Sequence, residues 1–218
     1  CCTSNYYTKQ MQTNWSVLLI GGASGAGKSH LAQQIAERYK ISHMEADDIR
    51  IALRTVSDRE RHPELFTFVD NQNYLEEFTE EKFVEELLRT GSTVWGAVDS
   101  LITRHVTFDE KIIIDGDSII PELLAKRNQE RVKAIFLYDD LEHIHERQIK
   151  RNRNKKRTQE KLEINAKFSF AYSETLRNQA EQNGFVTIKA SPIDTLFDRI
   201  VAVLDPLAGL SEQVKSRD

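Results

Sequence analysis

The sequence is poor in cysteine, and its two cysteines stand side by side at the start of the chain. Cys1 and Cys2 are the only ones among 218 residues. Two adjacent cysteines at a terminus cannot cross-link a hydrophobic core or supply the four ligands of a structural zinc site. A disulfide-rich scaffold is therefore excluded, and we expect a reducing, cytoplasmic setting.

Long apolar runs and an excess of one charge sign are also lacking. No stretch of the sequence reaches the roughly 18 apolar residues of a membrane-spanning helix, and its start lacks the basic-then-apolar order of a secretory signal. The net charge is −4, with only nine glycines and four prolines. This composition excludes collagen-like and low-complexity chains and provides no general attraction for nucleic acid. We expect no membrane association.

The apolar residues that are present form five short runs, each followed by a longer helical pattern. This alternation is typical of an α/β protein in which helices cover both faces of a parallel sheet. The runs cover residues 16–20, 41–45, 111–115, 132–138 and 185–189. We expect one domain over 15–204, preceded by a tag or disordered leader at 1–10 and followed by a C-terminal tail at 205–218. The chain shows no appended partner domain, so no obligatory protein partner is expected.

A long connection between the second and third runs predicts a helical insert. Thr79 is placed to cap a helix, with Phe78 and Phe83 as a hydrophobic staple and Gly91 at its end. A second helix then carries apolar residues on one face, namely Val94, Trp95, Val98, Leu101 and Ile102.

Two further helices are expected after the fourth run. The first begins behind Asp139 and Asp140 as caps and continues into a basic stretch, which we interpret as a lid over about 147–160. The second carries the apolar stripe of a helix packed onto the body, formed by Ile164, Phe168, Tyr172 and Leu176.

The most specific motif is a glycine-rich loop, "GASGAGKS", between the first strand and a helical run. It satisfies the full G-x-x-x-x-G-K-[ST] pattern, whose backbone N–H groups and helix N-terminus bind phosphate oxygens. Lys28 is expected to reach the outer phosphates, and the Ser29 hydroxyl to ligate Mg²⁺. We expect the nucleotide contacts to come from Gly22, Ala23, Ser24, Gly25, Ala26, Gly27, Lys28, Ser29 and His30.

Two acidic segments follow strands and supply further candidates. Asp115 ends the third strand, where a carboxylate would hold magnesium or, alternatively, only close the strand. In "EADDIRIALR", Asp47 or Asp48 could orient an acceptor hydroxyl and take its proton, and Arg50 could hold an anionic group. The alternative is that one of the two aspartates caps the next helix.

The basic stretch after the fourth strand has three interpretations. A lid would bring arginines over the transferring phosphate and exclude water, which otherwise competes as acceptor. A solvated charged face or a nucleic-acid patch would have the same composition. The catalytic candidates are Arg147, Arg151 and Arg157.

The order of these motifs resembles the small-molecule kinases of the nucleoside-monophosphate-kinase-like group of P-loop NTPases. The motifs are the phosphate loop, "DDIR", "IIIDGDSIIP", "LEHIHERQIKRNRNKKR" and "IKASPIDTL". Together with "VWGAVDSLITRH" in the insert, they are most similar to 2-phosphoglycerate kinase-type proteins.

The resemblance implies a five-stranded parallel sheet in the order 2-3-1-4-5, with a lid after the fourth strand. In polynucleotide kinases of the same broader group, an Asp-Asp-x-Arg motif supplies the acceptor's base and a substrate contact, which correspond by motif to Asp47 and Arg50. Kinases of this fold cradle adenine after the fifth strand, which implies contacts from Ser191 and Pro192.

One segment departs from the 2-phosphoglycerate kinase pattern. In that pattern the third strand is commonly followed by an acidic residue, Gly, one residue and His, whereas this chain has Asp115, Gly116 and Asp117. A carboxylate at Asp117 would face the acceptor and repel an anionic one unless it is paired or metal-bound, which argues against phosphoglycerate as the substrate and leaves open a hydroxylated acceptor such as a sugar, polyol or nucleoside.

The sequence therefore predicts an ATP- and Mg²⁺-dependent kinase that phosphorylates a hydroxyl of a small molecule. Two alternatives remain open. One is a polynucleotide or nucleotide-sugar kinase, the latter like zeta-type toxins. The other is a nucleotide-binding regulatory protein whose lid responds to ATP without transferring phosphate.

Overall fold

The structure is a computed structural model that describes residues 14–152 and 157–205. The expected leader at 1–10, the tail after Asp205 and three cations of the basic stretch lie outside the described residues. Those three cations are Arg153, Lys155 and Lys156.

The core of the fold is one sheet of five parallel strands in the order β2-β3-β1-β4-β5, which confirms the predicted order. The strands are β1 (Val17–Gly22), β2 (Ser42–Glu45), β3 (Ile112–Gly116), β4 (Val132–Tyr138) and β5 (Val186–Lys189). Asp115 on β3 is in register with Ile20 of β1 and Glu45 of β2. This register brings Asp115 level with the start of the phosphate loop.

Helices cover both faces of the sheet. Because alternate residues of a strand point to opposite sides, the apolar residues of a central strand need cover on both faces. On β1, Leu18 and Ile20 belong to one buried cluster, whereas Val17 and Leu19 belong to another. The helices are α1 (Lys28–Tyr39), α2 (Ala46–Val56), α3 (Thr67–Asp70), α4 (Tyr74–Glu77), α5 (Glu80–Thr107), α6 (Pro121–Leu124), α7 (Leu141–Arg151), α8 (Gln159–Gln182) and α9 (Leu196–Leu204). Two 3₁₀ turns lie at Pro63–Leu65 and Ile193–Thr195.

The insert differs from its prediction at one glycine. Thr79 caps α5 as expected, since the Lys82 N–H donates to its hydroxyl at 3.2 Å. The expectation that Gly91 ends this helix is wrong, because α5 is one helix of 28 residues that runs through it. Gly91 is buried, and a Cβ there would lie 2.7 Å from Cδ1 of Ile120. The glycine therefore permits close packing and does not end the helix.

The helix α7 begins where it was expected, but its capping differs from the prediction. Asp140 stands at the N-cap position, yet no side-chain capping hydrogen bond forms there within the described chain. Its carboxylate instead accepts a hydrogen bond from Lys189 at 2.6 Å, and Asp139 points into the protein. Both side chains are used for contacts between elements.

The apolar stripe on α8 is confirmed. Phe168, Tyr172 and Leu176 are buried, and Ile164 is partly buried in the same cluster. The ring of Phe168 packs against that of Phe83 on α5 at a centroid distance of 4.9 Å. The contact joins the insert to the helix that follows the basic stretch.

Candidate active site

The phosphate loop leaves β1 and ends in α1. Gly25 and Gly27 have φ angles of 87° and 90°, a left-handed conformation that only glycine adopts readily. Gly27 is the N-cap of α1, and within the described chain no side chain caps this helix end. Its first N–H groups therefore remain available for an anion. Ala23 and Ala26 are fully buried beneath the loop.

Lys28 is the cation of this loop and is partly buried. Its ammonium donates to the Ala23 carbonyl at 2.9 Å. Burial lowers the pKa of Lys28, although Asp117, Asp115 and Asp47 act in the opposite direction. The side chain thus lies among three carboxylates at the carboxyl edge of the sheet.

Ser29 and Asp115 meet as the sequence predicts. The Ser29 hydroxyl donates to Oδ2 of Asp115 at 2.9 Å. Oδ1 of the same carboxylate lies 2.5 Å from Nε2 of His43, and this hydrogen bond raises the pKa of His43. A hydroxyl and a carboxylate that converge beside a phosphate loop are the hard oxygen ligands that suit Mg²⁺. These two residues would hold the metal.

Asp47 and Arg50 lie on the first turns of α2, facing Asp117. Arg50 Nη2 is 3.0 Å from Oδ1 of Asp47, and its Nη1 is 4.0 Å from Oδ1 of Asp117. Burial, and next the charge of Asp117, raise the pKa of Asp47. Arg50 therefore lies between two carboxylates and is closer to Asp47 than to Asp117.

Asp48 does not join Asp47, Arg50 and Asp117. It is exposed and is absent from the lining of the cavities found in the described chain. Adjacent helical residues point about 100° apart, so Asp47 and Asp48 cannot face the same cleft. Neither caps α2, whose N-cap is Glu45.

Three adjoining cavities run along this edge of the sheet. The central one, about 70 Å³, is lined by Lys28, Ser29, Asp47, Asp115, Asp117 and Arg151. On one side it shares Lys28, Ser29 and Arg151 with a cavity of about 360 Å³. On the other side it shares Ser24 and Asp117 with a cavity of about 250 Å³. We refer to the 360 Å³ space as the nucleotide cavity and to the 250 Å³ space as the acceptor cavity.

The acceptor cavity combines arginines with an aromatic wall. Its cations are Arg50, Arg54 and Arg157, and Phe68, Phe83 and Tyr172 belong to its aromatic wall. The Arg54 side chain has no hydrogen bond or ion pair with any residue that the structure describes. Nε of Arg50 is buried and lacks a hydrogen-bond partner in the described chain. The Arg54 guanidinium therefore remains available to a ligand.

The three predicted lid arginines have different positions. Arg147 donates from Nε to the Gly25 carbonyl and from Nη2 to Asp139, each at 2.5 Å. Arg151 lines both the nucleotide cavity and the central cavity. Arg157 lines the acceptor cavity and donates to the Tyr74 hydroxyl at 3.1 Å.

The segment after β5 approaches the nucleotide cavity through a different residue from the two predicted. The Ser191 hydroxyl donates to Asp139 and lies 2.7 Å from Nδ1 of His143. The Pro192 carbonyl accepts a hydrogen bond from Arg199 at 3.0 Å. Ile193 lines the cavity, and His30 lines it from the start of α1.

Comparison with known families identifies the chain. A family model described as guanylate kinase matches residues 14–200. The chain belongs to the guanylate kinase family. This assignment confirms the resemblance to P-loop small-molecule kinases.

Two relatives of this guanylate kinase family member are 2-phosphoglycerate kinases. The one from Methanocaldococcus jannaschii is 32% identical over 123 residues, 56% of this chain and 40% of the relative. The one from Methanopyrus kandleri is 27% identical over 215 residues, 92% of this chain and 64% of the relative. This chain thus spans less than two thirds of the length of either relative.

A solved structure shares the fold of this guanylate kinase family member. Shikimate kinase from Acinetobacter baumannii, in complex with shikimate, has a TM-score of 0.50 at 14% identity and covers 88% of this chain and 93% of its own. None of the helices in the described ranges has the length and apolar character needed to traverse a lipid bilayer.

Sequence reasoning missed three polar residues of the site. His43 holds Asp115, Arg54 faces the acceptor cavity, and Asp139 binds Arg147. Two signals were available. Arg54 stands one helical turn after Arg50 in α2, and Asp139 directly follows a strand at the edge where the ligands of open α/β sheets bind.

Proposed function

We propose that this protein is an ATP- and Mg²⁺-dependent kinase that transfers the γ-phosphoryl group to a hydroxyl of a small anionic molecule. The observation that carries the proposal is the order of the cavities. The central cavity, with Lys28 and Asp47, adjoins the nucleotide cavity on one side and the acceptor cavity on the other. A phosphoryl group bound by the loop would face an acceptor hydroxyl at Asp47.

The residues of the central cavity match what phosphoryl transfer requires. The acceptor oxygen bonds to the γ-phosphorus, the bond to the β,γ-bridging oxygen breaks, and the acceptor proton passes to Asp47. Lys28 and Arg151 neutralise the charge on the transferring group. Mg²⁺, when bound, supplies charge neutralisation at the phosphates of ATP.

The charges of the acceptor cavity support an anionic acceptor. The Arg54 guanidinium is unpaired within the described chain, and it lines this cavity together with Arg50. Guanidinium groups bind carboxylate and phosphate through paired hydrogen bonds. The named substrate of the relatives, 2-phosphoglycerate, is an anionic hydroxyl compound of this kind.

A transfer assay with γ-labelled ATP and Mg²⁺ tests the proposal. Anionic acceptors, such as phosphoglycerates and sugar acids, are compared with neutral polyols, nucleosides, nucleotide sugars and 5′-hydroxyl oligonucleotides. We expect label on an anionic small molecule, and we expect its loss in Lys28→Ala and Asp47→Asn.

Each other outcome removes part of the proposal. Label on neutral polyols alone would exclude the role of Arg54 in binding an anion. Label on oligonucleotides or nucleotide sugars would favour the corresponding kinase. Binding of ATP with no transfer to any acceptor would favour a regulatory protein.

A further inference from the structure

We propose that Asp139 is a positioning residue for the nucleotide, which acts by holding Arg147 against the phosphate loop and Ser191 beside the nucleotide cavity. The inference rests on the nucleotide site of the proposed function. Asp139 directly follows β4, and its side chain is fully buried. It lines none of the nucleotide, central and acceptor cavities, so it acts through its neighbours.

Both oxygens of the Asp139 carboxylate are occupied by donors from different parts of the fold. Oδ2 accepts from Arg147 at 2.5 Å. Oδ1 accepts from the Ser191 hydroxyl and from the Asp140 N–H. Burial by itself raises the pKa of Asp139, but the hydrogen bonds from Ser191 and Arg147 outweigh it and hold the pKa below its usual value. The carboxylate is therefore ionised when it holds these groups.

Arg147 connects Asp139 to the phosphate loop. Its Nε donates to the Gly25 carbonyl at 2.5 Å, and it lines the nucleotide cavity. Because the peptide bond is planar and trans, a fixed Gly25 carbonyl also fixes the following Ala26 N–H on the opposite side. That N–H donates to the Ala23 carbonyl at 3.2 Å, the same oxygen that accepts from Lys28. Arg147 thus helps to set the shape of the loop.

Ser191 connects Asp139 to the other wall of the nucleotide cavity. Ile193, two residues further on, lines the nucleotide cavity and lies 3.1 Å from the position of a Cβ at Gly27. One buried carboxylate therefore joins the loop that would bind phosphates to the segment that faces the rest of the nucleotide.

Two other roles for the same residues do not fit the geometry. Ser191, His143 and Asp139 contain the residue types of a hydrolytic triad, but the Ser191 hydroxyl at 2.7 Å and the Asp139 carboxylate at 3.2 Å both meet Nδ1 of His143. A triad needs them on opposite ring nitrogens. Asp139, Asp140 and His143 also group as candidate metal ligands, but Arg147 and Lys189 already neutralise the two carboxylates.

Titration of the full chain with MgATP, followed by calorimetry, tests the proposal. The variants are Asp139→Asn, Arg147→Gln, their double variant and Asp140→Asn. A hydrogen bond to a charged group is worth about 1.5–3 kcal/mol, so we expect Asp139→Asn to weaken MgATP binding by about 10- to 100-fold. Asp140→Asn is the matched control, because its exposed partner Lys189 lies outside the cavity lining, and we expect it to bind like the wild type.

The double variant separates positioning from a general loss of structure. If Asp139 acts in part through Arg147, the loss of MgATP affinity in the double variant is smaller than the product of the two single losses, whereas independent effects would multiply. Multiplied losses, or wild-type affinity in Asp139→Asn, would overturn the proposal.

Two further results keep the test decisive. If Asp139→Asn does not fold, wild-type affinity in Arg147→Gln alone overturns the proposal, and weaker binding supports it. The wild-type titration is a separate check on the proposed function, since a wild type that does not bind MgATP contradicts that function and not only the role of Asp139.

Discussion

At the scale of single residues, the central cavity is defined by like charges held close together. Asp47, Asp115 and Asp117 all act on Lys28, and Asp117 also acts on Asp47. Phosphoryl transfer to a hydroxyl needs a cation for the phosphates and a base for the acceptor proton. A base with a raised pKa accepts that proton more readily than an ordinary aspartate does.

The first prediction concerns Asp47 as this base. Asp47→Asn should lower kcat by about 10²- to 10⁴-fold, the usual contribution of general base catalysis. Affinity for MgATP should remain, since Asp47 is absent from the lining of the nucleotide cavity. The matched control is Asp48→Asn, which changes an exposed neighbour and should retain activity. An Asp47→Asn enzyme with wild-type kcat on its acceptor would refute the role.

The second prediction is the pH dependence that follows from the Asp47–Asp117 pair. Asp47 must be ionised to accept a proton, so activity should fall as the pH drops through its raised pKa. The charge of Asp117 contributes to that rise, after burial. Asp117→Asn should therefore lower the pKa of Asp47 and move the acid limb of the kcat/KM profile to lower pH. A limb that stays in place or moves to higher pH would contradict this coupling, whatever the change in acceptor KM.

How far the site could be predicted depends on whether its residues lie in a motif. Lys28, Ser29 and Asp115 follow strands at fixed positions, so their meeting could be expected from the sequence. His43 reaches the site only through the pairing of β2 with β3, which no local spacing encodes. Arg54 shares a helix face with Arg50 by its spacing, but which cavity that face lines depends on the packing of α2.

At the scale of elements, the two glycines of α5 differ in what surrounds them. Gly91 and Gly96 lie on the same helix, but a Cβ at Gly91 would meet Ile120, whereas nothing lies within 4 Å of one at Gly96. Glycine favours the end of a helix, which is why the sequence predicts a helix end at Gly91. The buried neighbour that explains it comes from the segment before α6, and it could not be identified from the helix alone.

The third prediction uses these two glycines as a matched pair. Gly96→Ala should raise the free energy of unfolding by about 0.5–1 kcal/mol, because alanine loses less backbone entropy in a helix. Gly91→Ala gains the same amount but forces buried Ile120 to move, and overpacking typically costs about 1–3 kcal/mol. We therefore expect net destabilisation at Gly91, measured by urea unfolding. Equal stabilisation by both substitutions would show that the contact with Ile120 relaxes without cost.

At the scale of the whole molecule, the fold was predictable and the acceptor cavity was not. Alternating runs and a family resemblance indicate the order of five parallel strands. The acceptor cavity combines the consecutive elements from α2 to α5 with Ser24, Asp117, Arg157 and α8, which lie far from them in sequence. Its volume and charges follow from how these helices pack.

The last prediction distinguishes the nucleotide cavity from the acceptor side by the thermal stabilisation that MgATP causes. At 100 times its Kd, a ligand that binds only the folded state adds about 2.7 kcal/mol, which raises Tm by about 5–10 °C in a protein of this size. We expect this shift with MgATP, measured by scanning calorimetry, and a smaller one when EDTA removes Mg²⁺ from the solution. Lys28→Ala should lose most of the shift because Lys28 lines the nucleotide cavity, whereas Asp47→Asn should keep it. Loss of the shift in both variants would place Asp47 within the nucleotide site and remove the argument that the acceptor binds beside it.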